Sequence, residues 1–456
     1  MAENKAWERL NKLLDDGSFV ELGAYVSARS TDFSLKNQAE PSDGVITGYG
    51  QIGGIPVFVY SQNRAVLNGT MGEMHAKKIA ALYDRAMRRK SPVIGLIDCG
   101  GFRLEESVDA LDGFGGVLAK QMESVEKLLT ISGVFGVCAG GMTMIPAMSD
   151  FTFMTASADM FVNAPHTITD NTVMAREFAA SDFQNTVSGR AEVLETEDEV
   201  IARIRLLVSL FEDAVYGCCD MAELNRYVAS GKIVENTDTR ALLRECGDFG
   251  EFTEMRPGYC PEMVTGFLKL NGILTGVAGN AVNLFDEQGN AVQELPKGLT
   301  AGGCKKAADF LAFCSKMSLP VLTVSAAEGF AALEETERSL PESLAEMMRA
   351  LAGLSEARVN LIIGDTYGSA YVAMNTKPLK TGSCMTIAWD CVKVGMMQAE
   401  KAANILFSQD ASRDQQAAAY ESRQNSVRSA AAHGLIDSVI EPKDTRKHLI
   451  MAFSML

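Results

Sequence analysis

The chain repeats itself, and the repeat limits what it can fold into. Pro92 in SPVIGLIDCGGF and Pro320 in LPVLTVSAAEGF lie 228 positions apart (320 minus 92), and the same spacing relates Gly101 to Gly329, Phe102 to Phe330, Lys77 and Lys78 to Lys305 and Lys306, and Gly140 to Gly368. Upstream the spacing is 218, where Thr47-Gly48 answers Thr265-Gly266 and Gly54-Ile55 answers Gly272-Ile273. Chance matches would scatter in offset, so a constant spacing across unlike residue types marks an internal duplication. The change of 10 (228 minus 218) predicts one insertion in the second copy, the loop LFDEQGNAVQ. The pairing reaches the first turns, DGSFVEL against FGEFTEM.

Two copies in 456 residues make two domains of ordinary size. We place the seam in the polar stretch GKIVENTDTR around Asn236, giving domains 1–236 and 237–456. A composition of 47% hydrophobic and 22% charged residues supplies a core and excludes a disordered or fibrous chain. The formal charge of −16 argues against a general nucleic-acid or anionic-membrane surface, yet leaves room for a phosphate-bearing ligand held by a few local Lys and Arg. MAENKAWERL carries acids and no apolar segment, so it reads as no targeting signal, and a cytoplasmic location is expected.

From Leu128 to Met148 run 21 residues without a charge, long enough to cross a bilayer. Five of its residues, Gly133, Gly136, Gly140, Gly141 and Pro146, argue instead for a buried strand entering a turn, since a strand covered by helices on both faces is also continuously apolar. The ten cysteines contain no CxxC pair, and Cys218 and Cys219 are adjacent; reduced core thiols and no metal site are expected.

Strand-like runs alternate with helical ones. IPVFVYSQ, PVIGLID, GVFGVCA and FTFMTAS are rich in β-branched and aromatic residues, and between them GEMHAKKIAALYDRAMRR places Ile79, Leu82, Tyr83 and Met87 near a 3.6 period. LTGVAG, PVLTVSA and VNLIIGD repeat the pattern around AGGCKKAADFLAFCSKM. The alternation implies α/β domains with largely parallel pairing and right-handed crossovers.

Each copy carries one unusual turn. GVFGVCAGGMTMIPAM turns at Gly140 and Gly141, and NLIIGDTYGSAYVAMN turns at Gly368 and Ser369, both reading as a buried strand, a small-residue turn and a helix start. Such a turn leaves backbone N–H groups pointing outward with the helix dipole behind them, which makes an anion or oxyanion cradle. Two cradles at matching places point to a reaction that stabilises two oxyanions.

SDGVITGYGQIGGIPVFVYSQ, GEMHAKKI, SPVIGLIDCGGFR, VCAGGM and DFTFM, with VTGFLKLNG, AGGCKKAADFLAFC, YGSAYVAMN and HGLIDSVIEPKDTRKHLI in the second copy, resemble the carboxyltransferase subunits of biotin-dependent acyl-CoA carboxylases and decarboxylases. The likeness spans nearly the whole chain. It implies a crotonase-superfamily fold, two duplicated spiral α/β domains in one chain. It also implies transfer of a carboxyl group between the α-carbon of a CoA thioester and biotin. Both ends of that transfer pass through oxygen-centred anions, each gaining roughly 3 to 4 kcal/mol per fixed backbone donor. By resemblance the N–H groups of Gly140 and Gly141 serve the acyl-CoA side and those of Ser369 and Ala370 the biotin side. Gly100, Gly101, Phe102, Arg103, Arg64, Lys77 and Lys78 would surround the acyl-CoA, the cations facing its phosphates, and Gly368 and Tyr371 would adjoin biotin. Against this, Lys77 and Lys78 also read as a solvated helix face.

The sequence departs from the family at Gly368-Ser369-Ala370, where relatives often carry Gly-Gly-Ala, and at Ala327-Glu328-Gly329-Phe330, where many have Val-Pro-Gly-Phe. SLPESLAEMMRAL replaces an Arg-His-Gly-Ala-Lys run, and Cys99-Gly100-Gly101-Phe102-Arg103 replaces Ser-Gly-Gly-Ala-Arg, so Phe102 is expected to narrow the acyl pocket. With no biotin-accepting Ala-Met-Lys-Met motif and no ATP-binding segment, a separate biotin carrier chain is implied, together with a biotin carboxylase or a sodium-pumping membrane decarboxylase subunit. The short chain and the Gly-Ser-Ala turn favour the decarboxylase α subunit over the carboxylase β subunit. The family also implies a homodimer or a higher assembly such as a hexamer, first half facing second half across subunits.

Three other readings stand beside this one. Ser369 would be a hydrolytic nucleophile if one of the histidines His75, His166, His433 or His448 served as its base. Glu105 and Glu106 would be acids of a crotonase-type hydratase. A third possibility is a duplicated scaffold without chemistry.

Overall fold

The computed structural model describes residues 4–28, 41–164, 179–212, 217–228, 231–286, 288–375, 384–407 and 413–456. Contacts divide the chain into two units, Met1–Glu212 and Asp213–Leu456. The stretch expected as the seam is instead a helix, Gly231–Asn236, whose Ile233 joins the core of the second unit.

The first unit holds a sheet of eight strands. They are β1 (Val20–Leu22), β2 (Val45–Ile52), β3 (Ile55–Gln62), β4 (Val93–Cys99), β5 (Thr130–Ala139), β6 (Phe151–Thr155), β7 (Asp159–Phe161) and β8 (Glu192–Leu194). Their order is β1-β2-β3-β4-β5-β6-β8, with β7 paired to the end of β5. From β3 onward the pairs are parallel, while β1, β2 and β3 form an antiparallel edge, so the sheet is mixed. The uncharged run from Leu128 is therefore β5 with its flanks, and no helix among the described residues is long and apolar enough to cross a membrane.

The second unit repeats the order. Strands β9 (Thr253–Met255), β10 (Met263–Leu270) and β11 (Ile273–Asn280) form the antiparallel edge, and a hairpin of β12 (Asn283–Phe285) and β13 (Ala291–Glu294) follows. Then come β14 (Val321–Ser325), β15 (Arg358–Ile362), β16 (Thr366–Tyr367), β17 (Cys384–Trp389), β18 (Val394–Gly395) and β19 (Ser438–Ile440). The sheet runs β19-β17-β15-β14-β11-β10-β9, and β16 pairs with β18 apart from it. The hairpin occupies the place of the expected insertion.

The repeated Thr-Gly pair has a physical reason. The hydroxyls of Thr47 and Thr265 donate to the carbonyls of Leu22 and Met255 on the edge strands, at 2.8 and 3.1 Å. A Cβ on Gly48 or on Gly266 would sit 2.3 Å from the carbonyl oxygen of Val20 or of Thr253, so only glycine lets the edge strand cross there. Equivalent helices, Glu73–Arg89 and Ala301–Lys316, cover the sheets. Ile79, Leu82 and Tyr83 lie in the first core with Val45, Ile97 and Val134.

Candidate active site

At the carboxyl end of β5 the chain enters a 3-10 turn, Gly140–Thr143, and then a short helix, Met144–Ala147. Gly140 takes φ +64°, a left-handed conformation that redirects the chain without a Cβ penalty. The turn has no side-chain cap, and the Thr143 hydroxyl closes it by donating to the Gly140 carbonyl at 2.8 Å. The expected helix start is thus shorter than the pattern implied: at the first turn the donors are those of a tight turn, with little dipole behind them.

The loop after β4 packs against this turn. A Cβ on Gly141 would lie 2.8 Å from Cζ of Phe102, whose ring packs at a tilt of 56° against Phe114 with centroids 4.7 Å apart. Gly101 has φ +115°; its carbonyl accepts from the N–H of Met71 at 2.9 Å, and the N–H of Arg103 donates to the Met71 carbonyl at 2.9 Å, so Met71 bridges to Phe102. Gly100, Gly101, Phe102, Gly140 and Gly141 are therefore brought together, with an aromatic wall on the turn.

The four cations expected around phosphates separate into two kinds. Lys77 is exposed and pairs with Glu73 at 2.6 Å, and Arg64 is half exposed with its guanidinium 3.6 Å from Asp98. Lys78 corrects the expectation: it is buried, and its ammonium donates to the carbonyls of Ser42 at 3.0 Å and Val45 at 2.5 Å. Burial lowers its pKa to about 8. Arg103 is likewise removed from any phosphate, because it is 1% exposed and bonds Asp43 at 2.7 Å, Glu106 at 2.6 Å and the Thr70 carbonyl at 3.0 Å. Glu106 also accepts the N–H of Glu73 at 2.6 Å, so this acid caps a helix, while Glu105 is exposed.

Two groups that sequence reasoning assigned no role lie behind the turn. Asp98, 6% exposed, accepts from the N–H of Val137 at 3.2 Å and pairs with Arg9 at 3.4 Å, which reaches on to Glu197 at 2.9 Å. Gln62 donates from Nε2 to His75 Nε2 at 3.1 Å, while His75 Nδ1 donates to the Asp43 carbonyl at 3.1 Å. Burial, with the nearby charges of Arg103 and Lys78, lowers the His75 pKa to about 3, so the ring is neutral and structural. Asp43, whose pKa burial raises against the pull of Arg103, holds both His75 and Arg103. Only an acid inside the apolar run of β4 could have signalled Asp98, and Arg9 lies far away in sequence.

In the second unit β15 leads through Gly364 and Asp365 to β16 and then to a helix, Gly368–Asn375. Gly368 has φ +61°, matching Gly140, and a Cβ there would lie 3.0 Å from the Met396 carbonyl oxygen. Ser369 is exposed and Ala370 buried. The Tyr371 hydroxyl donates to the Leu435 carbonyl at 3.4 Å and accepts from Asn375 at 3.0 Å, so it is held in the packing of the helix. Among the described residues no histidine bonds Ser369: His433 is exposed and His448 lies on the last helix, Thr445–Met455. His166 lies outside the described residues. Within the same unit, Gly298, Gly329, Phe330, Ala331 and Gln398 line a cavity of 390 Å³.

The family model described as the carboxyl transferase domain matches residues 2–456. A "Putative propionyl-CoA carboxylase beta chain" of Bacillus subtilis is 34% identical, covering 99% of this chain and 90% of that protein. The "Methylmalonyl-CoA decarboxylase subunit alpha" of Propionigenium modestum is 32% identical, with 99% and 90% covered. Among solved structures, transcarboxylase 12S, a hexamer with methylmalonyl-coenzyme A and methylmalonic acid bound, matches with TM-score 0.88 and 29% identity over 99% of this chain and 89% of that one.

Proposed function

The chain belongs to the carboxyl transferase family, and from that premise we propose that it moves a carboxyl group between the α-carbon of a malonyl-type CoA thioester and biotin borne on a separate carrier chain. The observation that supports this reading most is the pair of turns. The first follows β5 and the second follows its counterpart β15 by way of β16, at matching places in the two sheets, and both begin on a left-handed glycine.

At the first turn the N–H groups of Gly140 and Gly141 would hold the thioester oxygen as charge moves onto it during loss of the α-carboxyl group. Phe102 and Phe114 would wall the α-carbon from water, and the exposed Lys77 and Arg64 would meet the phosphates. At the second turn the N–H groups of Ser369 and Ala370 would face the biotin ring. The 390 Å³ cavity lined by Gly298, Gly329 and Phe330 suits a small bicyclic ligand. Biotin, when bound, supplies the ring nitrogen that takes up the carboxyl group and a basic oxygen that no residue here has to provide.

The finer assignment we propose is the α subunit of a decarboxylase, on the strength of the Gly368-Ser369-Ala370 turn; the alternative, the β subunit of an ATP-dependent carboxylase, has equal support among the relatives. We further propose a homo-oligomer working with a biotin carrier. Incubating the protein with malonyl-CoA or methylmalonyl-CoA and free biotin tests the activity. The expected result is loss of the carboxyl group only when biotin is present; loss without biotin, or release of free CoA, contradicts it. Adding either a biotin carboxylase with ATP or a sodium-pumping membrane subunit decides the direction.

A further inference from the structure

The adjacent thiols of Cys218 and Cys219 belong to neither turn. Cys219 N–H donates to the Asn271 side chain at 3.1 Å, which fixes the pair beside the tight turn between β10 and β11. Because β11 runs parallel to β14 and β14 leads to the Gly329 loop, that turn is at the far end of the sheet from Gly368. The two Sγ atoms are 3.8 Å apart, and the buried carboxylate of Asp248 lies 3.4 Å from Cys219 Sγ and 3.9 Å from Cys218 Sγ. One ligand atom from each of the three lies within 4.8 Å of the others.

The carboxylate is held rigidly. It accepts from the N–H of Asn271 at 2.9 Å, the N–H of Gly272 at 2.7 Å and the buried guanidinium of Arg446 at 2.8 Å. Arg446 also bonds the Glu223 carbonyl at 3.0 Å and comes within 3.6 Å of Cys219 Sγ.

We propose that Cys218, Cys219 and Asp248 form a site for one thiophilic divalent cation of the zinc and cadmium class, with water as the fourth ligand on the exposed Cys218 side. The geometry suits such an ion: metal–sulfur bonds of about 2.3 Å at tetrahedral angles put two sulfurs about 3.8 Å apart. Each thiol gives its proton to the buffer as its sulfur–metal bond forms, an Asp248 oxygen makes the third bond, and no electron changes hands. Two neutral thiols become two thiolates while one divalent cation enters. The net charge beside Arg446 is thus unchanged, and the guanidinium keeps its bond to Asp248. The sequence offered no metal spacing because the third ligand comes from a separate turn.

Cadmium alone is the probe. The reduced full-length protein is given cadmium and desalted over a weak chelator. One cadmium per chain should remain, with a thiolate-to-cadmium charge-transfer absorption in the ultraviolet and a raised melting temperature. Cys218→Ser, at an exposed position, should keep the circular dichroism of the wild type and lose all three effects, as should the Cys218→Ser/Cys219→Ser double variant. Cys391→Ser, at an exposed thiol elsewhere, should keep them. A wild type that retains no cadmium, or a double variant that retains it stoichiometrically, overturns the proposal.

Discussion

In the first unit β5 runs unbroken from Thr130 to Ala139 into Gly140, whereas in the second the equivalent stretch is cut, β15 ending at Ile362 and β16 resuming at Thr366. Position 98 is part of the reason. Asp98 braces the first strand through the N–H of Val137, and a Cβ on Gly136 would fall 2.3 Å from its oxygen. Its counterpart in the second copy is Ala326, which offers no acceptor; there Asp365 turns away to take the N–H of Lys393 at 3.0 Å. The first turn is thus backed by a buried charge network, the second by packing and side-chain bonds to backbone. Downstream they differ again, a four-residue helix against one of eight. Both copies keep the left-handed glycine and the lysine clamp, Lys78 on Ser42 and Val45, Lys306 on Tyr259 at 2.7 Å. The duplication has preserved the left-handed glycine and the lysine clamp and let the side chains around them diverge.

The sharpest way to break this comparison is to fill the first turn. Gly141→Val would drive its Cβ branch into Phe102, which Phe114 prevents from swinging away, and turnover should fall by about 10²- to 10³-fold with the fold intact. Steady-state rates on a variant of unchanged circular dichroism decide it; near-normal turnover removes this turn from the mechanism. Next in size are the clamps. Lys78→Ala and Lys306→Ala each strand buried carbonyls and leave a gap, so each should cost about 2 to 4 kcal/mol by denaturant unfolding. Lys77→Ala and Lys305→Ala, at exposed positions, should stay within about 0.5 kcal/mol. Equal losses at all four would contradict the shared clamp.

Why the clamp escaped sequence reading is instructive. Lys77 and Lys78 look alike on paper, and a helical period places Lys78 beside Ile79 and Leu82 without saying that carbonyls wait there. Those carbonyls come from the loop around Ser42, where Ser42 and Asp43 hold φ of +69° and +48°, conformations that no local pattern announces. Arg103 misled for the same reason: its partners Asp43 and Glu106 meet only after folding. The offset, by contrast, exposed the repeated sheets, the inserted hairpin and both glycine turns, because a repeat is recorded in spacing alone. The antiparallel edges were also legible in Gly53-Gly54 and Asn271-Gly272, each a two-residue turn with positive φ at both positions, although an eye set on βα alternation passes over them.

A smaller contrast concerns acid. His75 has no counterpart, since the equivalent position is Gly303. With its folded pKa lowered to about 3 from an ordinary 6.5, His75 gives its full contribution to stability above pH 6.5 and loses it as pH falls toward 3. Between about pH 7 and 5.5 the first unit should lose up to about 1.4 kcal/mol per pH unit below the ordinary histidine value while the second holds. Hydrogen exchange on the helices Glu73–Arg89 and Ala301–Lys316 measures the two separately, and His75→Gln should flatten the first response. Parallel responses in both helices would contradict it.

The most direct test of backbone-only donation is at Ser369, the one exposed hydroxyl in either turn. Ser369→Gly should turn over within about twofold of the wild type, because the N–H survives, whereas Ser369→Pro, which removes it, should lose biotin-dependent transfer and still bind acyl-CoA. If Ser369→Gly is inactive and mass spectrometry finds a stoichiometric acyl adduct on the wild-type serine, the second turn works by its hydroxyl and the account of paired backbone turns is wrong.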